Sequence, residues 1–160
     1  MFPNSGIVDI EIPKSVKKIG KFCFSKCKNL KKVTINHHII PQGCFMKSSV
    51  SEVVMMNVKE LCNSSFAFCK NLHSIMLPKT LRKINGFTFA ESGIKNITIP
   101  PNVIVLGDSC FWCCESLEKV ILSEGLQEIK NSCFANSSIK EIKIPDSVKY
   151  IKKMLLLDLH

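Results

Sequence analysis

The amino-acid sequence predicts an α/β repeat protein, a solenoid of about seven turns with a parallel β-sheet on its concave face and short helical or irregular turns on its convex face. The first observation is that phenylalanine recurs at steps of 21 to 23 residues. The second is a block, five or six residues after each of these phenylalanines, with apolar residues at its first, fourth and sixth positions. A period near 22 residues is typical of solenoids, in which each turn buries its apolar side chains against the turns beside it.

Phenylalanine fills one position of the repeat in turn after turn. The chain contains ten Phe but a single Tyr and a single Trp. This imbalance indicates one buried structural position rather than a varied aromatic core. The repeated residues are Phe2, Phe24, Phe45, Phe66, Phe89, Phe111 and Phe134.

The apolar blocks predict short strands. They are rich in β-branched residues and alternate at their ends, as half-buried strands do. A proline, which cannot donate to a strand ladder, follows four of them, at Pro13, Pro78, Pro100 and Pro145. The blocks span residues 7–12, 30–35, 50–55, 72–77, 94–99, 117–122 and 139–144.

An apolar pair three residues apart leads from each block to the next phenylalanine, as Val16 and Ile19 do before Phe24. The second copy is the poorest match, with His37 in the position of Val16. The sequence therefore predicts one solenoid domain over residues 1–151, followed by an irregular C-terminal tail or makeshift cap over 152–160. The alternative, which we slightly favour, is that uncapped solenoid ends pair with another molecule, since an open sheet edge is a template for pairing.

The repeat resembles the BspA-like (bacterial surface protein A-like) class of leucine-rich repeats. The best copy contains Ile12, Pro13, Val16, Ile19, Gly20, Phe24, Cys27 and Leu30, and the match extends from residue 2 to about residue 151. The copies depart from the commoner leucine-rich consensus, because we find no ladder of Asn residues after the strands. The resemblance implies a curved leucine-rich-repeat solenoid that is not an enzyme, and a role at the surface of bacteria or parasitic protists, in adhesion or host-matrix binding.

The nine cysteines follow the repeat. Seven of them lie either directly before a repeated phenylalanine or three residues after it, where we expect small buried side chains. Cys110, Cys113 and Cys114 lack the second pair of ligands that structural zinc requires, so the sequence predicts no metal site. We expect Cys113, which the repeat does not explain, to be the exposed thiol of this group. A disulfide framework is not expected without a secretory signal.

Catalytic function is not predicted. The sequence lacks the G-x-S-x-G, H-E-x-x-H and nucleotide-binding glycine motifs, and its four histidines share no spacing with cysteines or acids. The repeat also leaves few irregular loops, where catalytic groups usually lie. We therefore expect neither catalytic residues nor a cofactor.

Residues between the apolar strand positions are expected to face solvent on the concave surface. Charges alternate from turn to turn at Asp9, Lys32 and Glu52, and again at Lys119 and Glu141, so neighbouring turns can form ion pairs. At the centre the charged residues are replaced by an exposed apolar stripe of Val54, Met76 and Ile121, with Thr98 between them. Exposed apolar patches often mark interaction sites. The residues that we expect to contact a partner are Lys32, Glu52, Val54, Ser74, Met76, Asn96, Thr98, Lys119 and Ile121.

The predicted function is a non-catalytic protein–protein interaction module, with cell-surface adhesion as the role that the resemblance implies. The alternatives are an intracellular scaffold and a structural unit that self-assembles into homo-oligomers through its solenoid ends. No signal peptide and no transmembrane segment are predicted, because no basic N-terminal region and no apolar stretch of about 20 residues exist. The missing signal and the odd cysteine count favour the cytoplasm, whereas the resemblance favours the cell surface.

The net charge of +9 permits acidic partners. Eight lysines lie between residues 14 and 32 and give the solenoid one basic end. Nucleic-acid binding is nevertheless not expected, because the nearby Phe22 and Phe24 are predicted core positions and unavailable for base stacking.

Overall fold

The computed structural model describes residues 5–152, which form a β-solenoid of about six turns with parallel sheets. The predicted first turn begins at Phe2, and the predicted tail or cap extends from residue 152 to 160. Phe2 and all of that tail after Lys152 lie outside the described residues. The strands are β1 (Asp9–Ile12), β2 (Lys32–Asn36), β3 (Ile39–Ile40), β4 (Glu52–Met56), β5 (Glu60–Leu61), β6 (Lys83–Ile84), β7 (Asn96–Ile99), β8 (Val105–Leu106), β9 (Lys119–Leu122), β10 (Glu128–Ile129) and β11 (Tyr150–Ile151).

Each turn contributes to two faces of the solenoid. The long-strand face is built from the predicted apolar blocks and contains β1, β2, β4, β7 and β9. The short-strand face is built from the apolar pairs that follow, and there six two-residue strands form one parallel sheet in the order β11-β10-β8-β6-β5-β3. The long-strand face instead contains two separate sheets, β1-β2-β4 and β7-β9.

The repeated phenylalanines form a continuous stack through the core. From Phe24 to Phe134, successive ring centroids lie 5.3 to 5.9 Å apart and the rings are nearly parallel. Burying such rings is among the largest single contributions to a core, about 2–3 kcal/mol each. Phe22 is an exception to the prediction, because it is half-buried and its ring lies where a Cβ on Gly43 would be, rather than in the stack.

The sequence predicted short helical or irregular turns, and the structure shows irregular ones, because none of residues 5–152 is helical. The reason lies in the backbone on either side of each stacked phenylalanine. Two residues four apart, one before and one after the ring, have positive φ angles, which interrupt a right-handed helix. These pairs are Phe22 and Lys26, Gly43 and Lys47, Ser64 and Phe68, Phe87 and Glu91, Ser109 and Cys113, and Ser132 and Asn136.

Backbone N–H groups in these turns donate hydrogen bonds to carbonyls of the next turn, and not to the carbonyl four residues earlier as in a helix. The Phe45 N–H donates to the Ser65 carbonyl at 2.9 Å, and Phe66 N–H donates to the Thr88 carbonyl at 2.9 Å. The turns are therefore held together by sheet-like hydrogen bonds, and the α/β class that the sequence predicted is corrected to a β-solenoid.

Cysteine and serine alternate along one buried column, three residues after each phenylalanine. Cys69 Sγ donates to the Phe45 carbonyl at 3.1 Å, and Cys114 Sγ does the same to Phe89 at 3.1 Å. Six of the nine cysteines, all of which lie within residues 5–152, are buried, and none of them forms a disulfide bond. The expectation that most of them fill buried ladder positions is confirmed. The alternating column is Ser5, Cys27, Ser48, Cys69, Ser92, Cys114 and Ser137.

Burial keeps these thiols protonated. Loss of solvation raises the pKa of Cys69 to about 12 and that of Cys114 to about 11, although hydrogen bonds with Ser48 and Ser92 oppose the shift. Burial also raises the pKa of Cys110, with the neighbouring Cys133 thiol adding to the effect. Since the thiolate is the reactive and metal-binding form, these side chains act as small core residues.

Candidate protein-binding face

The predicted contact residues lie on the long-strand face. Met76 is 85% exposed, more than any other large apolar side chain among residues 5–152, and Ile121 (47%) and Val54 (40%) are exposed as well. Thr98 is also exposed and lies beside Ile121 in the β7–β9 register. The alternation of the strands explains this, since residues between core positions must point outward.

The polar members of the predicted set fall into two groups. Ser74 bridges to Asn96, and Asn96 is paired with Lys119, so these three residues form one row across neighbouring turns. Lys32 and Glu52 are paired in the β2–β4 register, with Lys32 Nζ 2.7 Å from Glu52 Oε1. The hydrogen bond and the negative charge of Glu52 raise the pKa of Lys32.

A split in the sheet, which was not predicted from the sequence, separates these groups. Turns that are joined share backbone bonds, such as Ser51 N–H to the Lys31 carbonyl at 2.9 Å and Lys95 N–H to the His73 carbonyl at 3.0 Å. Among residues 5–152, no backbone hydrogen bond joins the segment 50–56 to the segment 72–77. Val54 and Met76, predicted to be neighbours in one stripe, therefore stand on opposite sides of a gap.

The gap lies within an apolar cleft that has a volume of about 1120 Å³. Its walls include Val53–Met55 on one side and Ile75–Leu77 on the other, and it continues over Thr98 and Ile121. Core side chains are slightly exposed at the floor of the cleft, where Val53, Ile75 and Leu77 are 8 to 9% exposed. Val33 and Ile35, at equivalent core positions of β2, are fully buried. We call this feature the cleft.

The connection between the two faces is shorter before the split than after it. Two residues lie between Met55 and Val58, whereas three, beginning with Pro78, lie between Leu77 and Leu81. On the shorter side, Asn57 has a φ of 60° and its Nδ2 donates to Asn36 Oδ1 at 2.9 Å. This exposed hydrogen bond links two neighbouring turns on the long-strand face.

A second, smaller cavity of about 710 Å³ lies between β9 and residues 140–145. Within the described part of the chain, no backbone hydrogen bond joins residues 117–122 to residues 139–144. The predicted pairing of Lys119 with Glu141 is accordingly missing from the ion pairs of residues 5–152, which are Lys32–Glu52 and Lys70–Glu91.

Metal-ligating side chains are scattered through the described residues. Among residues 5–152, no three His, Cys, Asp or Glu side chains are grouped closely enough to hold a metal ion. Cys110 and Cys114 are buried, and Cys113 is half-buried, with Asn136 Nδ2 3.6 Å from its sulfur. No helix in the described residues has the length and apolar character that crossing a membrane would require.

The repeat is found in other proteins. The family profile described as BspA type leucine rich repeat region (6 copies) matches residues 1–40 and 38–158. No curated protein matches the sequence significantly.

Solved structures share the fold. A leucine rich cell surface protein from Faecalibacterium prausnitzii superposes with a TM-score of 0.83 at 25% identity, covering 94% of this chain and 45% of that one. A leucine-rich repeat protein from Bacteroides ovatus gives 0.73 at 26% identity, with 92% and 45% covered. The leucine rich repeat protein of T. pallidum gives 0.78 at 17% identity, with 95% and 72% covered, and so shows the fold alone. The chain thus spans about 45% of the length of the first two proteins.

Proposed function

Because the chain belongs to the BspA-type leucine-rich repeat family, we propose that it is a non-catalytic module that binds a partner protein through its long-strand face. The observation that carries the proposal is the exposure of Met76, with Ile121 and Val54 around the same cleft. Exposed apolar side chains that border a cleft are the kind of surface that partner proteins cover.

The similarity to a cell surface protein of F. prausnitzii supports a surface role, such as adhesion. The intracellular scaffold is the alternative. A membrane-impermeant amine reagent applied to intact cells separates them, because the many exposed lysines of this chain are modified only if it lies outside. Modification solely after permeabilisation would contradict the surface role.

Site-specific photo-crosslinking in the native cells tests the binding proposal. A photoreactive amino acid replaces Met76 in one variant and Ile104 in the other. Ile104 is a matched control, since it is 50% exposed but precedes β8 on the short-strand face. We expect a discrete protein adduct from position 76 that is lost when Ile121→Asp is added. Equal adducts from both positions, or none from position 76, would contradict the proposal.

A further inference from the structure

We infer that the cleft takes up an extended peptide of the partner as an added β-strand along the outer edge of β4, and that this peptide carries apolar side chains at alternate positions and a carboxylate. The inference rests on the proposed function and adds the chemical class of the partner to it.

The main chain of β4 supplies the first argument. Its Glu52 N–H donates to the Lys31 carbonyl at 3.0 Å, so N–H groups of alternate residues point towards β2. The N–H groups of Val53 and Met55 consequently point the other way, into the cleft, where no described backbone group pairs with them. An open strand edge is a template on which an extended peptide can form main-chain hydrogen bonds.

The surrounding structure holds this edge in place. The same two turns remain joined on the short-strand face, where β5 pairs with β6. In the core, the Phe45 and Phe66 rings that open these turns are 5.3 Å apart. The split is therefore confined to one face of a firmly connected stack, and the edge of β4 is already unpaired within the described residues of the free chain.

The lining predicts which side chains the peptide carries. A strand directs alternate side chains to opposite sides. One set would lie on the apolar floor formed by Val53, Ile75 and Leu77, so it should be apolar. The exposed Met76 would cover the peptide from one side, because it projects at the rim.

The charge of the cleft predicts the carboxylate. Lys79 and Lys119 are the charged residues of its lining, and both are positive. Neither takes part in the two ion pairs found among residues 5–152. A carboxylate on the peptide would neutralise a cation that already lies beside an apolar surface, where such a pair is stronger than in open water.

Amide hydrogen exchange, measured by NMR on the whole chain, tests the inference. In the free protein, Val53 and Met55 amides should exchange faster than those of Val33 and Ile35, the equivalent amides of β2, which face β4. The probe is an acetylated peptide of alternating valine and serine that ends in two aspartates. In large excess, it should slow exchange at Val53 and Met55 at least about tenfold and leave Val33 unchanged.

Two control peptides separate the parts of the inference. The same peptide N-methylated at alternate amides should not protect Val53 and Met55, because it cannot form the strand ladder. A peptide ending in two lysines should bind at least about fivefold more weakly. Lys119→Glu should remove that preference, whereas Lys28→Glu, an exposed control outside the cleft, should keep it.

Each contrary result has a definite meaning. Unchanged exchange at Val53 and Met55 with every peptide overturns the inference, although a crosslinked partner at position 76 would leave the proposed function intact. Protection that depends on protein concentration without peptide would mean that a second copy of the chain fills the cleft, which also overturns it. Failure of the crosslinking experiment removes the proposed function itself.

Discussion

At the scale of single residues, a buried hydroxyl without a partner identifies a weak point in the core. Ser65 Oγ is buried and has no hydrogen-bond partner among the described residues. In the same column before the repeated phenylalanine, Cys44 and Cys110 fill the equivalent place with a thiol that tolerates burial better. An unpaired buried hydroxyl costs about 1–3 kcal/mol of stability.

Ser65→Ala should therefore leave the free energy of unfolding unchanged or raise it by up to about 1 kcal/mol. Ser25→Ala is the matched control, because Ser25 is equally buried but donates to the Met46 carbonyl at 2.9 Å. The control should lower stability by about 1 kcal/mol in urea unfolding. A clear loss for Ser65→Ala would show that its hydroxyl has a partner.

The buried thiols predict how stability depends on pH. Their pKa values lie near 9.0 in the unfolded chain, but burial raises that of Cys69 to about 12 and that of Cys114 to about 11. Above pH 9 the unfolded chain releases protons that the folded chain keeps, so folding stability is full below pH 9 and falls as the pH rises through 11 to 12.

The double variant Cys69→Ser, Cys114→Ser should lose less stability between pH 7.5 and 10.5 than the natural chain, by on the order of 2 kcal/mol for each thiol removed. Serine is a conservative choice, since Ser48 and Ser92 occupy the same column in adjacent turns. Urea unfolding in reductant at the two pH values provides the measurement. An identical pH dependence in both proteins would refute the link to these thiols.

At the scale of elements, a glycine allows one close backbone contact between neighbouring turns. Gly20 and Gly107 occupy the same repeat position, directly after an apolar residue of the short-strand face. A Cβ at Gly107 would lie 2.4 Å from the Asn85 carbonyl carbon, whereas a Cβ at Gly20 meets nothing within 4 Å. At Gly107 the backbone of one turn is therefore in van der Waals contact with the backbone of the preceding turn at Asn85.

Gly107→Ala should accordingly destabilise the protein by about 1–3 kcal/mol, since the clash is with backbone that cannot rotate away. Gly20→Ala should be within about 0.5 kcal/mol of the natural chain and is the control. Thermal unfolding of both variants checks the difference, and equal effects would contradict a close backbone contact at Gly107.

The elements also show what the sequence could and could not reveal. The columns of Phe66 and Cys69 were predictable because the same residue type recurs at one spacing. The positive φ angles on either side of each stacked phenylalanine were not predictable. Bulky residues such as Phe68 and Phe87 adopt them, although such angles are usually found at glycine. The split was not predictable either. Residues 72–77 match the strand pattern fully, but the pattern does not show whether their backbone lies close enough to β4 to form hydrogen bonds.

At the scale of the whole molecule, one continuous sheet and one divided sheet share a single core. The six-stranded sheet and the phenylalanine stack fix the spacing of the turns, as expected for a solenoid whose stability is a sum over neighbouring interfaces. The long-strand face is thereby free to carry exposed apolar side chains and an open edge. Nine predicted contact residues lie on this face, and the split decides which of them are neighbours.

The measurement that tests this account most directly compares partner binding by two variants. Met76→Asp with Ile121→Asp changes two exposed residues beside the cleft, and Ile104→Asp changes one on the short-strand face. All variants should unfold within about 1 kcal/mol of the natural chain, since exposed positions tolerate charge. We expect the cleft variant to lose binding to the partner crosslinked at position 76 and the control to keep it. Undiminished binding by the cleft variant would contradict the account.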